Sequence, residues 1–252
     1  MAKPKTQNPK PANRYADFGY QKISAAEKPA RVRDLFTGVA ANYDVMNDLM
    51  SGGVHRLWKD YFVGLLNPAD GRPLLDVAGG TGDIAARFLA NGGKSATVVD
   101  PTAAMMDVGR KKHARLPITW ICAPAESLPL PDRSFAHYTI SFGLRNVTDI
   151  KSALAEAYRV LDIGGQFLCL EFSRPELPGL ARIYDIYSDR ILPWLGEMVA
   201  NDRPAYQYLV ESIRRFPPQS QLADMMADAG FSCIRYINLS GGICAIHQGF
   251  RL

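Results

Sequence analysis

Cysteine is scarce in this chain, and its four copies, Cys122, Cys169, Cys233 and Cys244, never fall at a C-x-x-C spacing. That pattern excludes a disulfide framework and a thiolate metal centre. Each cysteine falls in a stretch that reads as strand, so four buried, reduced, inert thiols are expected. Histidine is equally thin: His55, His113, His137 and His247 are dispersed, and no metal site is expected. No apolar run is long enough to cross a bilayer, because charged residues or Gly–Pro clusters interrupt each one. The first residues lack the apolar stretch of a secretory signal, so export is not expected and a cytoplasmic location is.

An excess of charge is also lacking. Lys plus Arg number 29 against 25 Asp plus Glu, an excess of four that makes no case for nucleic acid. Its distribution says more, since Lys3, Lys5, Lys10 and Arg14 all precede the first acid, Asp17. Residues 1–27 therefore read as a basic tail too polar to order itself. It is either simply solvated or rests on anionic lipid.

What is present is a globular composition, 47% hydrophobic and 21% charged, able to bury a sizeable core. Residues 28–70 read as a helical lid without strands. Val32, Leu35, Phe36 and Val39 keep helical spacing, a second helix starts at Asp44, and a third carries Trp58, Tyr61, Phe62, Leu65 and Leu66.

From Leu74 short apolar runs alternate with helical stretches. Strands are predicted at 74–78, 96–100, 118–122, 138–142 and 166–172, with helices at 83–90, 103–112 and 150–161. Such alternation implies right-handed βαβ crossovers and a doubly wound parallel sheet. It stops at Ser173. Residues 174–217 are too long for an ordinary loop and read as an inserted cap on a catalytic domain spanning 71–252. A helix near 221–229 follows, then strands at 233–238 and 243–248 joined by Leu239-Ser240-Gly241-Gly242, a hairpin signal. A parallel sheet closed by an antiparallel hairpin is a methyltransferase pattern more than a dinucleotide dehydrogenase pattern.

The ligand motif is Leu74-Leu75-Asp76-Val77-Ala78-Gly79-Gly80-Thr81-Gly82-Asp83, a strand, glycine turn and helix start. Glycine lets backbone approach a ligand, and a helix N-terminus offers free N–H groups. Asp100 ends the next strand, where a carboxylate can accept both ribose hydroxyls. Gly80-x-Gly82-x-x-Ala85 also fits the dinucleotide pattern, so the glycines alone leave NAD open. Asp76 and Asp83 favour the cationic methyl donor S-adenosylmethionine, since they would repel a pyrophosphate. Ala123-Pro124-Ala125-Glu126 sits where adenine contacts are expected. Ser141-Phe142-Gly143-Leu144-Arg145-Asn146 ends the fourth strand, either as a polar contact for substrate or as a capping loop. Tyr184, Tyr187, Trp194, Tyr206 and Tyr208, with Met46, Met50 and Trp58, suggest an apolar acceptor pocket.

Several segments together resemble one family, the ubiquinone/menaquinone-biosynthesis C-methyltransferases. They are 39–51 with His55-Arg56-Leu57-Trp58-Lys59, then 76–83, 141–149, Tyr158-Arg159-Val160-Leu161 and Leu170-Glu171-Phe172-Ser173. The C-terminal matches are 208–213 with Phe216-Pro217, then Gly242-Ile243 and Ala245-Ile246-His247. The blocks at 43–51, 143–149 and 211–217 lie outside the generic methyltransferase core and are specific to that family.

The resemblance implies a Rossmann-like class I sheet and S-adenosylmethionine-dependent methylation of a ring carbon on a polyprenylated benzoquinol or demethylmenaquinol. It implies donor contacts from Thr81, Asp100, the Pro124–Ala125 backbone and Ser141, to which the glycine motif adds Asp76 and Gly80, and it places Tyr43, Arg145 and Asn146 against the quinol. It also implies peripheral association with the inner face of the membrane, and a homodimer or a quinone-synthesis complex. The chain departs from the family at Pro124, where a polar residue is usual, at Asp162-Ile163 in place of Lys-Pro, and at Ala136 in place of Asp. A methyltransferase for another small phenol, a NAD oxidoreductase and a non-catalytic scaffold are the rival readings.

Overall fold

The computed structural model describes residues 15–39, 48, 51–175, 179 and 203–252. A small antiparallel hairpin comes first, β1 (Tyr15–Phe18) and β2 (Gln21–Ser24), followed by α1 (Lys28–Val39) and α2 (His55–Gly64). The main body runs β3 (Leu74–Val77), α3 (Asp83–Ala90), β4 (Ala96–Val99), α4 (Ala103–Lys112) and β5 (Ile118–Ile121). It continues through β6 (Phe135–Ser141), α5 (Ile150–Val160), β7 (Leu161–Phe172), α6 (Arg203–Arg215), α7 (Gln219–Asp228), β8 (Ser232–Leu239) and β9 (Cys244–Phe250).

The seven strands of the main sheet lie in the order β5-β4-β3-β6-β7-β9-β8. β3 to β7 run parallel, and β9 is antiparallel to both β7 and β8. The sheet and its closing hairpin follow the sequence expectation. All four residues of β3 are buried because helices cover both faces of the sheet. Alternation along β3 sends Leu75 and Val77 to the face packed by Leu154, Ala157, Leu222 and Met226 of α5 and α7. Leu74 faces the opposite core with Phe62, Ile84 and Phe88 of α2 and α3. The chain winds outward from β3 in one direction and then restarts at β6 in the other. The carboxyl ends of β3 and β6 therefore form a topological switch point, where such sheets hold ligands.

The first quarter corrects the sequence reading. Residues 15–24, assigned to a disordered tail, pair as a hairpin through the turn Gly19-Tyr20, with Gly19 at φ +59°. Its stability comes from distant chain. Phe18 stacks on Tyr208 of α6 at 4.3 Å, and the Tyr20 amide donates to Glu211 Oε2 at 2.9 Å. Residues 1–14, the predicted helix from Asp44 apart from Asp48, and Tyr184, Tyr187 and Trp194 lie outside the described residues. Of the expected cap, α6 is described, with Tyr206 and Tyr208 buried against the core.

The cysteines are corrected in part. Cys169 and Cys244 are buried, but Cys122 and Cys233 are exposed. Cys122 sits one residue past β5, where the strand ends, and Cys233 occupies a register shift in β8 with φ +51°. No helix among the described residues is long and apolar enough to cross a membrane.

Candidate active site

At the switch point lies a cavity of about 350 Å³. Its walls are the residues just past four parallel strands: Ala78 and Gly80 after β3, Asp100 and Thr102 after β4, 122–126 after β5, and Phe142 and Asn146 after β6. Val32 and Phe36 of α1 roof it. Two non-glycine residues here adopt left-handed backbone, Ala78 at φ +51° and Phe142 at φ +55°. Strain of this kind concentrates where a chain is bent to meet a ligand. Gly80, at φ +54°, makes the sharp turn between β3 and α3 that an ordinary side chain would resist.

Asp100 organises this cavity. Its Oδ2 accepts the Gly80 amide at 2.9 Å and its Oδ1 accepts the Thr102 amide at 2.7 Å. Each oxygen keeps a further lone pair for a ligand hydroxyl. Burial pushes its pKa up, opposed by the amides of Thr102 and Gly80.

Asp76 lies one layer deeper and does not line the cavity. Its Oδ1 accepts the Thr139 hydroxyl at 2.9 Å, while its Oδ2 finds no donor among the described residues. Burial, with Asp83 and Asp100 nearby, pushes its carboxyl up to about 7. The Ser141 hydroxyl, on the neighbouring strand, is likewise buried without a partner among the described residues. Thr81 is buried in the turn and contributes no wall. Asp83, expected to favour a cationic donor directly, is instead matched by Lys59 at 2.9 Å and Arg87 at 3.2 Å. Its charge serves the α2–α3 contact.

A second cavity of about 540 Å³ lies between the β1–β2 hairpin, the start of α5 and α6. Both cavities share Val147 and Thr148 as walls. That shared wall is held from two sides. The buried Lys28 ammonium at the start of α1 donates to the Val147 carbonyl at 2.7 Å, and Glu126 Oε1 accepts the Thr148 amide at 2.6 Å. Burial pulls the Lys28 pKa down, opposed by Asp17 and Glu126.

Arg145 and Asn146 part company at this wall. Asn146 lines the first cavity and accepts the Tyr208 hydroxyl at 3.0 Å. Arg145 lines the second, and its side chain is almost wholly buried. Its Nη1 donates to the Phe142 carbonyl at 2.8 Å and forms an ion pair with Glu171, and its guanidinium lies 5.7 Å from the centre of the Phe172 ring. Burial pushes the Glu171 carboxyl up to about 7 against the pull of Arg145.

Of the expected donor residues, the fold brings Gly80, Asp100, Pro124 and Ala125 to the first cavity, with Asp76, Thr81 and Ser141 behind it. Tyr43 lies outside the described residues. His55 lines neither cavity: its Nε2 sits 2.8 Å from Asp48 Oδ1, and its amide donates to Ser51 Oγ. Thr102 and Lys28 were not singled out from sequence, and Glu126, Phe142 and Glu171 fall inside quoted motifs that gave them no individual role. Glu171 had a signal, since it is the one acid inside the apolar run Phe167-Leu168-Cys169-Leu170-Glu171-Phe172.

The site suits a methyl donor of the S-adenosylmethionine type. Asp100 and the 123–125 backbone face this cavity, and Asp76 Oδ2 and Ser141 Oγ behind it are buried without partners among the described residues. The ubiE/COQ5 methyltransferase family profile matches residues 24–251. The ubiquinone/menaquinone biosynthesis C-methyltransferase UbiE of Methylobacterium nodulans is 55% identical over 94% of this chain and 96% of its own length. The mitochondrial 2-methoxy-6-polyprenyl-1,4-benzoquinol methylase of Arabidopsis thaliana is 47% identical over 93% of this chain and 90% of its own. Among solved structures, a SAM-dependent methyltransferase of Thermotoga maritima superposes with a TM-score of 0.63 at 22% identity. That superposition covers 88% of this chain and 100% of the other, and it speaks for the fold.

Proposed function

Since the chain belongs to the ubiE/COQ5 methyltransferase family, we propose that it methylates a ring carbon of a polyprenylated benzoquinol or demethylmenaquinol, using S-adenosylmethionine. The observation that carries this reading is the cavity at the switch point, with Asp100 and Asn146 in its walls, and a second cavity lined by Arg145 and Tyr208 that adjoins it at Val147 and Thr148. S-adenosylmethionine, when bound, supplies an electrophilic methyl. The chain's own residues must hold it, exclude water and prepare a carbon nucleophile.

Asp100 takes the ribose hydroxyls, the backbone at Pro124 and Ala125 faces the adenine, and Gly80 and Thr81 give the close-approach turn. Asp76 and Ser141 offer their unsatisfied oxygens to the amino acid end. On the acceptor side a phenolate drives electron density onto its ortho carbon, so a cation there lowers the barrier. Arg145 supplies that cation, and Glu171 with the Phe142 carbonyl fixes its plane. Asn146, oriented by Tyr208, and Tyr43 hold the ring. The segment 174–217 acts as a cap and 28–70 as a lid. A lipid-borne acceptor calls for peripheral contact with the inner face of the membrane, and a homodimer or a larger quinone-synthesis complex is compatible with that.

Quinone profiling of cells lacking this chain tests the assignment. A demethyl benzoquinone or demethylmenaquinone should accumulate and identify the acceptor. Unchanged quinones, with methylation lost from a different phenol, would move the chain to that other acceptor.

A further inference from the structure

The second cavity is charged unevenly. Lys22, Lys28, Arg145, Lys151 and Arg215 line it against two carboxylates, Asp17 and Asp149. Two of these charges are already committed within the fold: Arg145 pairs with Glu171, and Asp149 caps α5 by accepting the Lys151 amide at 3.1 Å. The cations at the rim are held loosely. Lys151 meets Asp228 at 3.9 Å with both side chains largely exposed, Lys22 lies across the hairpin from Asp17, and Arg215 lies 5.7 Å from the centre of the Tyr20 ring. Beside them the hairpin exposes two aromatic rings, Tyr15 at 64% and Tyr20 at 50%. Soluble surfaces have little use for exposed tyrosines among cations. A membrane interface does, because amphipathic rings settle at headgroup level while Lys and Arg meet lipid phosphates.

We propose that the rim of this cavity, formed by the β1–β2 hairpin, Lys151 and Arg215, docks on the headgroups of anionic phospholipid. Docked this way, the cavity that ends at Arg145 opens toward the bilayer. A quinol whose tail stays in lipid then reaches the wall beside the donor without leaving the membrane. This inference rests on the quinol reading above and assigns membrane contact to the hairpin rim, where residues 1–14 alone would otherwise have to provide it.

The test uses the full chain with vesicles of phosphatidylcholine alone or mixed with phosphatidylglycerol. The wild-type chain should sediment with the mixed vesicles only, and salt should release it. The triple substitution Lys22→Gln/Lys151→Gln/Arg215→Gln should weaken that partition on the order of 100-fold, from about a fivefold step per basic residue. A charge-matched control on α4, Arg110→Gln/Lys111→Gln/Lys112→Gln, should change it little. Turnover of a vesicle-borne long-chain quinol should fall with the rim triple and not with the control triple. If the rim triple binds no worse than the control triple, the proposal is overturned although the quinol assignment stands. Protection of the rim by inorganic phosphate without any vesicle binding would also overturn it, leaving a site for free phosphate. Failure of the wild-type chain to bind either vesicle would sink the membrane reading itself.

Discussion

Around the first cavity the polar work is done by backbone. Asp100 receives two main-chain amides, and the turn at Gly80 is set by backbone angle. Across the Val147–Thr148 wall the second cavity, proposed for the acceptor, depends on buried side chains, with Arg145 against Glu171 and Tyr208 reaching Asn146 on the first side. The contrast has a physical reason. A nucleoside donor presents fixed hydroxyls and ring edges, which fixed backbone dipoles can meet without reorganisation. An acceptor whose charge changes during reaction needs a mobile charge balance, and a buried ion pair supplies one at a cost in stability.

The largest expected effect comes from breaking that pair. Arg145→Met leaves Glu171 buried without its cation and should cost about 3–5 kcal/mol of stability, read by denaturant unfolding. The double variant Arg145→Met/Glu171→Met should regain most of that loss yet stay inactive. Activity returning along with stability would reduce Arg145 to a structural part and abolish the contrast between the two sides.

Next in size is the donor side. Asp100→Ala removes the acceptor for two amides and for the proposed ribose contact, so donor affinity should fall by ~3 kcal/mol in calorimetry. The variant should remain folded, because the sheet does not depend on this loop. Unchanged affinity would place the ribose elsewhere.

A smaller effect separates burial from function at Asp76. Its carboxyl has a folded pKa of about 7, above the ordinary carboxylate value. The unfolded chain therefore ionises first, and the stabilising contribution present in acid is lost as pH rises from about 4 to about 7. Asp76→Asn should remove that slope, gaining ~1–3 kcal/mol on the wild type between pH 4 and pH 8 in donor-free protein. It should also weaken donor binding at pH 8. Parallel stability curves for the two proteins would mean that Asp76 is not strained by burial.

The same contrast explains what the sequence made legible. Donor-side elements are local: Gly80 turns β3 into α3, and Asp100 ends β4 next door, so spacing alone placed both. The helices at 83–90 and 103–112 match α3 and α4 residue for residue. The acceptor side is assembled from residues far apart in the chain, and no periodicity links Arg145 to Glu171 or Phe18 to Tyr208. The β1–β2 hairpin escaped notice because its strands are four residues each and their stability is borrowed from α6. Nothing in the sequence sets Lys28 apart from the other lysines. Its burial between two cavities is a tertiary fact.

The most direct test of the central claim is transfer of label from methyl-labelled S-adenosylmethionine to a demethyl polyprenyl quinol by the purified chain. One labelled methyl should appear on a ring carbon, located by mass and NMR, with both hydroxyls left free. Label on a hydroxyl oxygen, or no transfer by folded protein that binds the donor, would contradict the assignment.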